Sequence, residues 1–233
     1  MNIAIIPARG GSKRIPKKNI RNFCGKPMIA YPILTAMDSG LFDRVYVSTD
    51  SDEIAFMAEQ YGAIAPFRRP AQLSDDHAPT LPVIRHAVDW ISSSNVDLDS
   101  VCCIYPTTPF LQKPYLQKGF DLLQAHPEAD FAFSVTTFEA PIFRSLKIVN
   151  GRVEMCWPEY EQTRSQDLET VYHDAGQFYW GTPHSFRECT GLFTAHSLPV
   201  ILPRTLTVDI DTPEDWDVAE LMYQARILKS QEC

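Results

Sequence analysis

The chain has 233 residues, 45% apolar and 21% charged. These are ordinary values for a globular protein with a sizeable core, and residues 1–233 read as a single domain. A formal charge of −8 and a pI near 5.2 argue against a nucleic-acid partner, which goes with a domain-wide basic balance. No run of about 18 apolar residues offers a membrane span, and Met1 to Pro7 lacks the basic n-region of a signal peptide.

Taken in chain order, the pattern alternates strand and helix. Asn2 to Pro7 is an apolar strand. Pro27 to Ser39 carries Met28, Ile29, Ile33, Leu34 and Met37 at helical spacing, and Gly40 closes it. Arg44 to Ser48 reads as a strand, Asp52 to Tyr61 as a helix ended by Gly62, and Thr80 to Ser92 as a third helix. Val101 to Tyr105 is a strand that meets Pro106, Lys113 to Ala125 a helix and Phe131 to Val135 a strand. This alternation predicts an α/β fold with right-handed crossovers and a mainly parallel sheet covered on both faces. After about residue 138 the rhythm breaks. Leu146–Val149 and Val153–Met155 flank Asn150-Gly151 as a hairpin, and a polar stretch runs from Glu159 to Asp174. Residues 139–175 therefore read as an inserted arm. Gln177–Trp180 and Pro199–Leu202 resume as strands, and Asp215–Leu228 forms the last helix.

Charge is distributed unevenly along this frame. The first 37 residues contain no Asp or Glu, yet Arg9, Lys13, Arg14, Lys17, Lys18, Arg21 and Lys26 fall within them. The segment Pro7-Ala8-Arg9-Gly10-Gly11-Ser12-Lys13 leads from the first strand into a loop with two glycines and a serine. Backbone N–H groups in such a loop approach phosphate oxygens closely, and flanking cations supply charge. The loop predicts a triphosphate site, against the plainer reading of a solvated loop with scattered lysines. It is neither a Walker A loop nor a G-x-G-x-x-G fingerprint. In open α/β sheets ligands sit outside the carboxyl ends of the strands. Ser48-Thr49-Asp50 and Pro106-Thr107-Thr108-Pro109 lie at such ends too.

Asp209-Ile210-Asp211 is the second motif. Residues i and i+2 of an extended segment face the same side, and two such carboxylates repel unless a cation lies between them. A hard divalent ion such as Mg²⁺, completed by substrate phosphates, suits them. The competing reading is capping, with Thr212 or Asp211 as N-cap and Pro213 in the first turn of the last helix. Ser48-Thr49-Asp50 also precedes a helix and reads first as a cap. Arg68, Arg69 and Arg164 fit either surface charge or recognition of a base, phosphate or carboxylate. The six cysteines form no C-x-x-C pair, and the histidines show no H-x-x-x-H spacing. These features predict reduced thiols in a cytoplasmic protein and no zinc site.

The run from Pro7 to Ile20 (PARGGSKRIPKKNI) resembles the signature of the acylneuraminate cytidylyltransferases. Ser48-Thr49-Asp50, Arg69-Pro70-Ala71, Pro106-Thr107-Thr108-Pro109 and Asp209-Ile210-Asp211 match that family in the same order, over nearly the whole chain. The resemblance implies a Rossmann-like nucleotidyltransferase core of glycosyltransferase A type, a dimerisation arm, a homodimer and Mg²⁺. It implies that Arg9, Ser12, Lys13 and Lys18 hold the triphosphate of CTP, and that Asn19, Arg69 and Thr80 contact its cytidine half. Asp209 and Asp211 would bind the metal, and Arg9, Lys18 and Asp211 would serve the chemical step. Tyr105, Arg164 and Gln177 would face the sugar acid, Arg164 in its own subunit or its neighbour's.

Departures from the sialic acid enzymes narrow the resemblance. Tyr105 precedes the Pro106-Thr107-Thr108-Pro109 motif, and Phe110-Leu111 follow it. The run Asp174-Ala175-Gly176-Gln177-Phe178-Tyr179-Trp180 resembles the branch acting on pseudaminic acid, a nine-carbon 2-keto sugar acid. The implied reaction is attack of the anomeric hydroxyl on the α-phosphorus of CTP with loss of pyrophosphate. Either aspartate, or water on the metal, is open as the proton acceptor. The implied product serves cell-surface glycan biosynthesis and flagellin glycosylation. Legionaminic, neuraminic or 3-deoxy-octulosonic acid as acceptor, or a nucleotide-binding module without activity, stand as alternatives.

Overall fold

The computed structural model describes residues 1–76 and 78–231. Strand β1 (Asn2–Pro7) shows how the chain builds two cores from one sheet. Ala4 and Ile6 join one buried cluster while Ile3 and Ile5 join another, because successive strand residues point to opposite faces. After β1 and its long loop come the short β2 (Asn22–Phe23) and β3 (Lys26–Pro27), then α1 (Ala30–Ser39), β4 (Arg44–Ser48) and α2 (Asp52–Gln60). The chain continues with α3 (Thr80–Ser92), β5 (Ser100–Ile104), α4 (Lys113–Ala125) and β6 (Phe131–Thr137). The hairpin β7 (Leu146–Val149) and β8 (Arg152–Met155) precedes β9 (Tyr172–Gly181), α5 (Pro183–Glu188), β10 (Leu198–Ile201) and α6 (Pro213–Gln231).

The central sheet has the order β10-β6-β9-β5-β1-β4. β1 runs parallel to β4 and β5, and β10 runs parallel to β6. Only β9 runs antiparallel, wedged between β5 and β6. The expected α/β architecture with a mainly parallel sheet is therefore present, with one reversed strand in its middle.

Helices cover both faces. α1, α2 and α4 bury Ile33, Ala55 and Leu116 against Ala4, Cys102 and Trp180 on one side. α3 and α5 bury Ile84, Val88 and Phe186 against Ile5, Cys103 and Tyr179 on the other. α4 lies so close that a Cβ at Gly119 would come within 2.7 Å of the Trp180 ring, so any side chain there would displace the helix. The Trp180 indole N–H then donates to the Leu116 carbonyl at 3.0 Å and fixes the crossing.

A third cluster positions the site. Ile15 from the loop after β1, Ile210 from between the two aspartates, Leu206, Phe23 and Trp216 pack together, fully or almost fully buried. This cluster clamps the amino-terminal loop against the segment that enters α6.

Several boundaries differ from the sequence expectation. The first helix begins at Ala30 rather than Pro27. Cys24 and Gly25 both adopt positive φ, 43° and 97°, forming the two-residue turn that a tight hairpin needs. That turn places Lys26 and Pro27 in β3. The strand expected at Gln177–Trp180 extends back to Tyr172, and Tyr172, His173 and Asp174 pair with Thr137, Thr136 and Val135. The last three residues of the expected polar stretch thus belong to the central sheet. Its remainder carries only short 3₁₀ turns at Pro158–Tyr160 and Ser165–Asp167. The expected hairpin forms, with Leu146 paired to Met155 and Val149 to Arg152.

Candidate active site

The loop after β1 is fixed by hydrogen bonds to its backbone. The Asn19 side-chain amide donates to the Arg9 carbonyl at 2.9 Å, and Ser12 N–H donates to the Gly10 carbonyl at 3.0 Å. Gly10 N–H donates to the Asp50 carboxylate at 2.8 Å. Asp50 therefore does not cap the next helix. Ser51 does, accepting from Ile54 N–H at 3.4 Å. Thr49 receives Arg69 N–H on its carbonyl at 2.7 Å. The capping role expected of Ser48-Thr49-Asp50 is thus replaced by anchoring of two neighbouring loops.

Four of the seven amino-terminal cations, Arg9, Lys13, Arg14 and Lys18, line a cavity of about 690 Å³ at the carboxyl ends of β1 and β5. The other three face elsewhere. Lys17 pairs with Glu53 at 2.8 Å, Arg21 lies 4.6 Å above the Trp216 ring, and Lys26 lies 5.9 Å from the Tyr31 ring. Ser12, Asn19, Arg69, Thr80, Tyr105 and Asp211 complete the expected residues in this cavity.

Arg69 is buried, and burial lowers its pKa, while Asp50 opposes that shift and Arg9 adds to it. Its Nε donates to Ser74 Oγ at 3.2 Å. Thr80 and Tyr105 share a hydrogen bond of 2.7 Å between their hydroxyls. Burial pushes the Tyr105 phenol up to about 12, so it stays a neutral hydrogen-bonding group.

The cations meet the carboxylates across this cavity. Lys18 Nζ donates to the Ile210 carbonyl at 2.7 Å and lies 3.3 Å from Asp211 Oδ1. Arg14 pairs with Asp211 Oδ2 at 2.8 Å. Desolvation, followed by the charge of Asp211, raises the pKa of Asp209 against the opposing charge of Lys18. The Asp209–Asp211 segment is not part of a strand, but its alternation follows from Ile210, 1% exposed, pointing into the third cluster. Both aspartates are thereby turned outward.

The cap of the last helix is formed by residues just beyond the two aspartates. Thr212 Oγ1 accepts from Asp215 N–H at 3.2 Å, and Asp215 Oδ2 accepts from the N–H groups of Thr212 and Asp211 at 2.7 and 3.1 Å. This reciprocal box caps α6 without the side chains of Asp209 and Asp211, the latter paired with Arg14 and Lys18 instead. Asp209 and Asp211 are the carboxylates expected from the sequence to hold a cation here. Among the described residues no group of three or more His, Cys, Asp or Glu could hold a metal. Two carboxylates completed by phosphate oxygens and water suit Mg²⁺, which seldom takes an all-protein cage.

A second cavity of about 920 Å³ adjoins the first, and Tyr105 and Thr107 line both. Asp211 faces the first cavity and Asp209 the second. The second is walled by threonines, including Thr136, Thr137 and Thr207, with Glu139, Asp174, His173 and Arg204. Tyr179 donates to Asp174, which also accepts Gly176 N–H at 2.9 Å and so holds the start of β9 in shape.

Two expected residues are elsewhere. Gln177 is buried outside both cavities and donates its side-chain amide to the Leu206 carbonyl. Arg164 is exposed, pairs with Asp167 at 2.8 Å, and reaches neither cavity of its own chain. Among the residues not foreseen in the first cavity is Asp76, which pairs with both Arg9 and Lys13. Those hydrogen bonds, Lys13 first, hold its carboxyl down to about 2.

A reversed strand within a parallel sheet, a cationic loop after the first strand and a carboxylate pair across from it define a nucleotidyltransferase. CMP:2-keto-3-deoxy-manno-octonic acid synthetase, solved with CTP, superposes with a TM-score of 0.67 at 18% identity, over 100% of this chain and 99% of that one. The family model described as cytidylyltransferase matches residues 3–186, and the chain belongs to that family. It is 45% identical over 224 residues, 96% of each chain, to the pseudaminic acid cytidylyltransferase of Campylobacter jejuni. It is 31% identical to the CMP-N,N'-diacetyllegionaminic acid synthase of Legionella pneumophila, over 95% of this chain and 96% of that one.

Proposed function

We propose that the enzyme transfers the cytidylyl group of CTP to pseudaminic acid, giving the CMP-sugar and pyrophosphate for later transfer to a cell-surface glycan or flagellin. The observation that carries the reading is the meeting of Lys18 and Arg14 with Asp211 at 3.3 and 2.8 Å, in a cavity that also holds Arg9, Ser12 and Lys13. The acceptor is inferred from the relative in Campylobacter jejuni, whose identity of 45% exceeds that of the legionaminic acid enzyme at 31%.

In this reading the triphosphate takes the place of the Asp76 carboxylate on Arg9 and Lys13. Asn19, Arg69 and Thr80 receive the cytidine half. The sugar acid occupies the second cavity and presents its anomeric hydroxyl past Tyr105 to the α-phosphorus. Arg9 and Lys18 lie where negative charge grows on the bridging and leaving oxygens, so they stabilise the transition state more than the ground state. Mg²⁺ held by Asp209 and Asp211 would neutralise phosphate charge and make the phosphorus more electrophilic.

The hairpin of the arm leaves Leu146, Ile148 and Val153 between 62% and 79% exposed. Contiguous apolar surface of this kind marks an interaction site. We infer that it packs on a second copy, and that Arg164 serves that neighbour's sugar cavity. Light scattering on Ile148→Glu, Val153→Glu would show a monomer; an unchanged mass would refute the interface. The absence of any helix long and apolar enough to cross a membrane among the described residues is compatible with work in the cytoplasm.

The deciding experiment is pyrophosphate release with CTP, Mg²⁺ and a panel of pseudaminic, legionaminic, neuraminic and 3-deoxy-octulosonic acids. Pseudaminic acid is expected to give the highest kcat/KM. A higher value with any other acid, or CTP binding without turnover on all four, would overturn the assignment.

A further inference from the structure

The second cavity presents an electrostatic problem that the recognised motifs do not solve. Glu139, Asp174 and Asp209 line it, while the proposed acceptor is itself a carboxylate. An anion entering beside three acids needs a fixed cation. Among the lining residues Arg204 is the one Lys or Arg. Arg164 of the same chain lies outside this cavity, engaged by Asp167 at 2.8 Å, so the cation built into each chain's own cavity is Arg204.

Arg204 is anchored at its backbone and open at its tip. It begins a 3₁₀ turn, Arg204–Leu206, whose carbonyl at Arg204 accepts Thr207 N–H and Thr207 Oγ1, both at 3.0 Å. Leu202 N–H donates to the Val135 carbonyl at 2.8 Å just before the turn. The buried Gln177 amide holds the Leu206 carbonyl just after it, and the Leu206 side chain sits in the third cluster. At the tip, Nη1 donates to the Glu139 backbone carbonyl at 3.1 Å. No ion pair to Arg204 forms among the described residues. A guanidinium has five N–H donors in a planar fork, so one bond to a carbonyl leaves a face able to grip a carboxylate through two oxygens.

We propose that Arg204 binds the carboxylate of the sugar acid and so distinguishes a keto-acid sugar from a neutral one. Gln177 acts as a positioning residue through the Leu206 carbonyl. Glu139 orients the guanidinium from its backbone, and the Thr137 hydroxyl, which lines the cavity, remains for the sugar's own hydroxyls. The inference rests on the acceptor being a 2-keto sugar acid, as proposed above.

The test compares wild type, Arg204→Ala and Arg204→Lys in pyrophosphate release with CTP, using pseudaminic acid and its methyl ester. Loss of a charge-assisted hydrogen-bonded pair predicts that Arg204→Ala raises the KM for the acid about ten-fold or more, with the KM for CTP within about two-fold of wild type. Arg204→Lys recovers part of the loss, because it restores charge but not the fork. Wild type discriminates against the ester, and Arg204→Ala loses that discrimination. An unchanged KM for the acid in Arg204→Ala, or retained discrimination against the ester, would overturn the assignment while leaving the reaction intact. A wild-type enzyme that turns over no nonulosonic acid would instead remove the acceptor reading and this inference with it. If Arg204→Ala is unstable by circular dichroism, Arg204→Gln carries the same comparison.

Discussion

The two cavities that meet at Tyr105 are built on opposite plans. The first cavity draws four cations from one loop, Arg9 to Lys18, and another from Arg69, and its counter-charge includes Asp211 and Asp76. The sugar cavity is assembled from β6, the start of β9, the 204–208 turn and α6, and it is rich in acids and hydroxyls. The first gathers positive charge of the kind that suits phosphates, and the second surrounds one arginine with groups that suit a polyol. The third buried cluster joins them, because Ile15 belongs to the loop of the first and Ile210 separates the aspartates that face both. A cluster placed this way ties the spacing of the two cavities to the packing of the core.

The difference between the plans is sharpest at Lys18. Replacing it with Ala removes a pre-placed cation from the growing charge, an effect typically worth about 2.7–4 kcal/mol of barrier, or roughly a hundred- to thousand-fold in kcat. The unfolding midpoint stays near that of wild type, since Arg14 still neutralises Asp211 at 2.8 Å. Wild-type turnover in purified Lys18→Ala would show that the cationic loop is passive. Ile210→Ala tests the joint instead. A buried Ile→Ala change costs about 2–5 kcal/mol of stability, read by urea denaturation. At a temperature where the variant remains folded, kcat falls while both KM values move little, because both substrates still find their own cavities. A variant destabilised yet fully active would mean that the cluster supports the fold and not the alignment of the two sites.

The sequence made the two plans legible to different degrees. β4, α3 and α4 begin and end where periodicity and punctuation place them. The cationic loop announces itself because its charges are contiguous and free of acids. Asp209 and Asp211 are readable because the alternation around Ile210 is short-range. The start of α1 was masked because the need for positive φ at Cys24 is not visible in a cysteine. The early part of β9 was masked because Tyr172 and His173 are exposed and polar in context, and the register shifts between Phe133 and Val135. The family resemblance of its neighbours points Gln177 towards substrate. Strand alternation and the nearby Leu206 carbonyl turn it inward. Arg204 and Asp76 carry no motif at all. Each becomes informative only when the fold brings it to a cavity whose remaining charges it balances.

Asp76 gives the gentlest way to probe the contrast. Its carboxylate sits on Arg9 and Lys13, the position the triphosphate is proposed to take, and those two cations depress its pKa from 3.8 to about 2. A carboxyl depressed on folding adds stability that is present above its ordinary value. That stability is lost as pH falls from about 4 towards 2. Asp76→Asn therefore flattens the acid side of the stability curve in that window and leaves the curve near neutrality only slightly changed, since the pair is partly exposed and screened. The same change frees Arg9 and Lys13 from an internal competitor. The affinity for CTP, measured by calorimetry at pH 7 and low salt, is expected to rise a few-fold, and the gain shrinks as salt screens the cations. Affinity for the sugar acid stays unchanged, because Asp76 does not line the second cavity. If CTP bound more weakly to Asp76→Asn, the carboxylate would be positioning the loop for the nucleotide rather than competing with it, and the nucleotide cavity would depend on an acid of its own.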